Sequence, residues 1–99
     1  MGNTQLETLL KLRESFQAQL SQITEVENEY ANKIASLKKQ YEHISNQNVF
    51  GEEILKSLEI TIKFEESQME NFKSYSQERE TRYKNFLEMV NKSIKSITQ

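Results

Sequence analysis

SNQNVFG, residues 45–51, decides the fold of this chain, because it is the only interior place where a helical pattern breaks. Its two asparagines belong to a residue type that caps helices well and tolerates turn conformations. Proline is absent from all 99 residues and the only other glycine is Gly2, so neither flanking segment contains a residue that stops a helix. The sequence therefore predicts two long helices joined by a short turn.

Mostly apolar residues recur at seven-residue spacing on both sides of this turn. The N-terminal repeat consists of Leu9, Phe16, Ile23, Tyr30, Leu37 and Ile44. The C-terminal repeat consists of Leu55, Ile62, Met69, Ser76, Tyr83, Val90 and Ile97. Such a repeat keeps one stripe of a helix against a neighbour, and a short connection makes the two helices antiparallel. We predict an all-α, coiled-coil-like two-helix hairpin, a single domain with helices at 4–45 and 49–97 and a turn at 46–48.

A seven-residue repeat has a second core position three or four residues from the first. Charged residues occupy some of these second core positions in both helices. Arg13 and Glu27 fall there in the first helix, and Glu65 and Arg79 in the second. The stems of Arg13 and Glu27 can pack while their charged ends reach solvent. Alternatively, each controls the register through an ion pair with the facing helix or with a partner. With a turn centred near position 48, residues that face each other should have numbers that sum to about 97.

Local signals mark the helix ends. Thr4 begins a capping box at the start of the first helix. Asn46 or Asn48 is expected to cap the second helix, and Glu52 and Glu53 follow where negative charge favours a first turn.

Surplus apolar residues are concentrated at the end of the hairpin opposite the turn. We predict partner-binding residues at Leu6, Leu10, Leu12, Leu87, Met89 and Ile94. All but the first of these are expected to flank the seam between the helices rather than occupy it. Because two helices bury only one stripe each, a second stripe indicates another helix packed on it. We expect dimerisation into a four-helix bundle or docking on a helical partner.

Composition excludes several classes of chemistry. Cysteine and aspartate are absent, and His43 is the only histidine. A catalytic triad of the usual kind, a multi-histidine zinc site and the common calcium loop are therefore not expected. We predict no catalytic residue, no metal site and no cofactor. A net charge of −2 also argues against nucleic acid as a partner.

Hydropathy gives no sign of membrane insertion or of a Sec signal, since neither an apolar N-terminal run nor a segment of about 20 apolar residues is present. We therefore expect a cytoplasmic protein. Export together with a partner, without a Sec signal, is the alternative.

Two long helices around a central turn, in a chain of this length, resemble the WXG family of small hairpin proteins exported by type VII secretion systems. The glycine of the family's Trp-x-Gly turn has a counterpart in Gly51, whereas Val49 stands in place of the tryptophan. Asn46, Asn48 and Phe50 complete the predicted turn region. The family's Tyr-x-x-x-Asp/Glu export signal is absent, because Leu87 follows the last tyrosine at that spacing.

This combination is similar to the accessory proteins of LXG toxins, which lack the Trp-x-Gly motif and pair with the helical N-terminal region of the toxin as targeting partners. The resemblance implies a partner that is either this toxin region or a second small hairpin protein. A cytosolic helical chaperone or adaptor and a structural coiled-coil tether are the alternative functions.

Overall fold

The computed structural model describes residues 3–47 and 51–99, except for the side chain of Asn3. Helix α1 spans Asn3–Gln47 and helix α2 spans Glu52–Thr98. No strand occurs within these described ranges. The two helices pack against each other, so the predicted all-α helical hairpin is confirmed.

Helix α1 is longer at both ends than predicted. It begins one residue before Thr4 and continues to Gln47, so Asn46 is helical and is neither a turn residue nor the cap of α2. In its last turn the Gln47 amide and His43 Nε2 form a hydrogen bond of 3.1 Å. Asn46 is therefore part of a continuous helix, although asparagine prefers helix caps to helix interiors. The predicted cap Asn48 and the predicted helix start at Val49 lie outside the described residues.

Gly51 occupies the position before the first residue of α2. Its carbonyl oxygen accepts a hydrogen bond from the backbone N–H of Ile54 at 3.2 Å. Glu52 and Glu53 form the first turn, where carboxylates interact favourably with the positive end of the helix dipole. The two glutamates lie in the first turn of α2, as the sequence predicts. Gly51, rather than an asparagine, occupies the cap position, and glycine is also accepted there.

Contacts divide the hairpin into two units. The central unit contains α1 from Glu25 and α2 up to Ser74, and the terminal unit contains α1 up to Thr24 and α2 from Tyr75.

The core of the central unit follows the predicted repeats. Ile34 and Ile62, which belong to the core positions of the two helices, are both buried. The rings of Tyr30 and Phe72 lie nearby with centroids 6.1 Å apart. These contacts join opposite helices along one apolar seam, as the seven-residue spacing predicts.

Pairs across the seam establish the antiparallel register within each unit. In the central unit, Tyr30 and Phe72 have numbers that sum to 102. In the terminal unit, Phe16 contacts Tyr83 and Phe86, which gives 99 and 102. These values exceed the predicted 97 because α1 ends at Gln47 and α2 begins at Glu52, so the gap is centred later than position 48.

Candidate partner-binding surface

An aromatic cluster connects the helices of the terminal unit. The ring of Phe16 on α1 meets Tyr83 edge-on, with centroids 5.1 Å apart, and tilts against Phe86 at 4.5 Å. Contacts of this geometry contribute about 0.5–1.5 kcal/mol each beyond the area that they bury. Ile23 and Val90 are buried in the same unit.

The buried face of α2 changes its spacing in the terminal unit. In the central unit, steps of three and four residues alternate through Leu55, Leu58, Ile62, Glu65, Met69 and Phe72. In the terminal unit, the buried and half-buried positions include Ser76, Glu80, Tyr83, Leu87, Val90 and Ile94. Two successive four-residue steps therefore separate Phe72 from Glu80. An extra four-residue step changes which side chains face the other helix, so the later residues of α2 no longer follow the strict seven-residue repeat.

Arg79 provides a physical reason for this change. A strict repeat would place its guanidinium in the seam, where an unpaired charge is costly. Instead Arg79 is exposed, donates a hydrogen bond to the hydroxyl of Tyr75 at 3.1 Å, and lies 5.2 Å from the centre of that ring. Glu80 takes the half-buried position, with its carboxylate 2.9 Å from Lys84 Nζ.

The shifted register leaves one apolar face of α2 only partly covered, through the contact of the Phe86 ring with Phe16. Met89 is 64% exposed, Phe86 37% and Ile97 41%, and Ser93 between them is also exposed. Their spacing of three, four and four residues places all four on one side of the helix. We call Phe86, Met89, Ser93 and Ile97 the outer stripe.

Two of the predicted partner-binding residues belong to the seam. Leu87 and Ile94 were expected to flank it, but the four-residue step brings both into half-buried positions of α2. Ile97, which the strict repeat assigned to the seam, is 41% exposed. Phe86, assigned there too, keeps its ring against Phe16 but is 37% exposed. The presence of Arg79 at a core position was the signal in the sequence that could have revealed this exchange.

The other predicted partner-binding residues differ in exposure. Leu6 and Leu12 on α1 are half-buried, whereas Leu10 and Met89 are exposed. Exposed apolar side chains therefore occur in the terminal unit, but of the six predicted residues only Leu10 and Met89 are among them. Its binding role stays a prediction.

Of the predicted turn residues, Asn46 and Gly51 lie among the described residues. Asn46 is exposed in the last turn of α1, and Asn48 and Phe50 lie outside the described residues. Gly51 is exposed, and a Cβ added to it would meet no atom within 4 Å. Crowding by neighbouring atoms therefore does not require glycine at this position.

The described residues contain little that suggests chemistry. Over residues 3–47 and 51–99, no three histidine or glutamate side chains come together in a group that could hold a metal ion. No helix in these ranges combines the length and apolar character needed to cross a membrane.

Comparison with known proteins gives no further assignment. No family model matches the chain, and neither a curated protein nor a solved structure matches it.

Proposed function

We propose that this chain is a non-enzymatic adaptor whose outer stripe docks on a helix of another protein. The observation that carries the proposal is the exposure of Met89 and Ile97 on one face of α2, beside Phe86, whose ring packs on Phe16 across the seam and is still 37% exposed. Covering these side chains removes apolar surface from water, which at about 25 cal/mol per Å² contributes several kcal/mol.

The position of the stripe favours a helix as the partner. On a helical wheel, Phe86 and Ile97 lie next to the buried Val90, so the stripe borders the seam between α1 and α2. A third helix placed there would lie beside both helices of the terminal unit, as helices do in a bundle. Apolar residues at three- and four-residue spacing are also the usual anchors of a helix in a groove.

Charges beside the stripe indicate the composition of the partner. Arg82 precedes Phe86 by one turn on this face, and Lys92 borders it near Met89. Arg82 already forms an ion pair with Glu78 at 3.0 Å, so its charge is partly satisfied. A partner helix with carboxylates beside its apolar positions would be favoured by complementary charge, mainly through the rate of association.

Within this class, we propose that the chain is an accessory or targeting protein that docks on the helical region of a type VII secretion substrate. The helical hairpin, its length and the glycine at the start of α2 support this assignment. The partner would be the N-terminal region of an LXG toxin or a second small hairpin protein. The chain would then act in the cytoplasm and leave the cell, if at all, together with that partner.

Co-purification tests the docking surface directly. The unsubstituted chain is expressed with the N-terminal helical region of an LXG toxin, and the complex is isolated through a tag on the toxin. We expect co-purification to be lost in Met89→Glu and in Ile97→Glu. Asn91→Glu is the matched control, because it adds the same charge to an exposed position of the same helix on another face.

The outcomes separate the proposed function from its alternatives. Loss of the complex in Met89→Glu, with helical content preserved by circular dichroism, supports docking through the outer stripe. If the chain does not co-purify with the toxin region but, when tagged itself, captures many unrelated helical proteins, it would be a chaperone or adaptor. A toxin complex that survives both stripe substitutions would refute the placement of the binding surface.

A further inference from the structure

One side of α2 in the central unit carries no charge. Between residues 54 and 74, every lysine and glutamate of α2 lies on the seam or on the opposite flank of the helix, where Lys63 is largely in solvent. The uncharged side holds, besides the half-buried Gln68, the exposed residues Ile54, Ser57, Ile60, Thr61, Phe64, Ser67, Asn71 and Ser74. A solvated helix face normally carries charges, so an uncharged face of this length is unusual for a surface that stays in water. We call this set the neutral face.

Two large apolar side chains lie at the middle of the neutral face. Ile60 is 68% exposed and Phe64 is 59% exposed, one helical turn apart. They belong to the central unit and are distinct from the outer stripe, which lies in the terminal unit. Neither side chain takes part in the seam with α1. Ile62, which lies between them in the sequence, is the residue buried there.

Four residues at the centre of the neutral face have the same order, serine, apolar, apolar, serine, in both directions. Ser57 precedes Ile60 by three residues, and Ser67 follows Phe64 by three. In an antiparallel pair of α2 helices related by a twofold axis, Ile60 would face Phe64 of the second copy, and Ser57 would face Ser67. The two small serines would let the helices approach closely on either side of the apolar centre.

We propose that the neutral face binds a second copy of this chain, with the two α2 helices antiparallel. A twofold contact brings identical surfaces together. Like charges then repel each other unless the surfaces are neutral or each charge faces one of opposite sign. In this register Lys56 comes beside Glu70 of the second copy, on the same flank. A parallel pair would instead place Glu53 against Glu53.

Lys63 is the exception to this complementarity, because it lies close to the twofold axis and approaches its own counterpart. Its ammonium group is 3.5 Å from Glu59 of the same helix, and both side chains are largely in solvent. Solvent and the neighbouring carboxylate therefore screen this repulsion. Two central apolar layers form a small contact, so the dimer is reversible and depends on concentration.

Cysteine substitution tests the register, because the natural chain contains no cysteine. Ser57→Cys and Ser67→Cys are prepared separately, and each is treated with a short thiol crosslinker alone and as an equal mixture. The antiparallel register predicts crosslinked dimer in the mixture. It predicts little in either variant alone, since residues 57 and 67 are about 15 Å apart along the helix. Efficient crosslinking of Ser57→Cys alone would overturn this register.

Sedimentation of the full chain tests the surface itself. We expect the mass to rise from one chain to two with concentration, and the double variant Ile60→Glu/Phe64→Glu to remain monomeric with its helical content intact. Met89→Glu is the control that should dimerise like the unsubstituted chain, because it alters only the outer stripe. A chain that is monomeric at all concentrations, or a dimer that the double variant leaves unchanged, would contradict the proposal.

Discussion

The carboxylate of Glu65 on α2 lies 2.9 Å from the ammonium group of Lys33 on α1. Glu65 is buried in the seam, while Lys33 is exposed at its edge. Removing one partner of such a pair leaves a poorly solvated charge, so displacing the helices along each other would be unfavourable. The pair therefore selects the register of the central unit. Arg13 and Glu27, for which the sequence suggested this role, are half-buried.

Replacing Glu65 by leucine should raise the free energy of unfolding by about 1 kcal/mol, because a buried ion pair often stabilises less than apolar residues of similar volume. Chemical denaturation at concentrations where the chain is monomeric measures this change. Glu66→Leu is the control. Glu66 is exposed and only 3.7 Å from Lys38, so its replacement should change stability by less than about 0.5 kcal/mol. A large loss of stability in Glu65→Leu would show that the ion pair outweighs apolar packing.

Adjacent residues 89 and 90 should respond differently to truncation. Val90 is buried, so Val90→Ala should lower the free energy of unfolding by about 2 kcal/mol through lost burial and an unfilled cavity. Met89 is exposed, so Met89→Ala should cost less than about 0.5 kcal/mol. Equal costs at the two positions, measured by denaturant unfolding, would mean that the outer stripe packs inside the hairpin.

Two serines of α2 provide a test of the shifted register. A strict seven-residue repeat assigns both Ser76 and Ser93 to the seam, but Ser76 is only 2% exposed and Ser93 is exposed. Ser76→Leu should therefore overpack the seam and cost about 1–3 kcal/mol. Ser93→Leu should leave the thermal midpoint nearly unchanged. If instead Ser93→Leu stabilised the monomer as a buried leucine does, the four-residue step in α2 would be wrong.

Gly51 should tolerate a side chain. Nothing lies within 4 Å of an added Cβ, and serine is a better residue than glycine at the start of a helix. Gly51→Ser should retain the hairpin and gain a few tenths of a kcal/mol in unfolding free energy. Circular dichroism and thermal unfolding provide the readout. Collapse of the helical signal would show that this glycine is needed for a reason that its surroundings do not reveal.

The fold could be predicted from the sequence because its signals are local and repeated. The absence of helix breakers on either side of residues 45–51 and the two apolar repeats are sufficient for a helical hairpin. Buried Ile34 and Ile62 occupy positions that the repeats assign to the core. The helix junction was less predictable, because the cap preference of Asn46 is weaker than the hydrogen bonding of a helix that continues past it.

The exposed apolar residues of the terminal unit were only partly predictable. The excess of apolar residues there is visible in the sequence, but which of them are exposed depends on which side chains α2 turns outward. A strict seven-residue repeat would bury Arg79, and periodicity alone does not measure the free-energy cost of burying that charge. Leu87 is half-buried as a result, while Phe86 is 37% exposed although its ring still packs on Phe16.

The affinity of the chain for the N-terminal helical region of an LXG toxin tests the central claim most directly. Isothermal titration would compare the unsubstituted chain with Met89→Glu and Asn91→Glu. We predict that Met89→Glu weakens binding at least about tenfold, which corresponds to 1.4 kcal/mol, and that Asn91→Glu leaves the dissociation constant nearly unchanged. Equal affinities for Met89→Glu and the unsubstituted chain would contradict docking through the outer stripe.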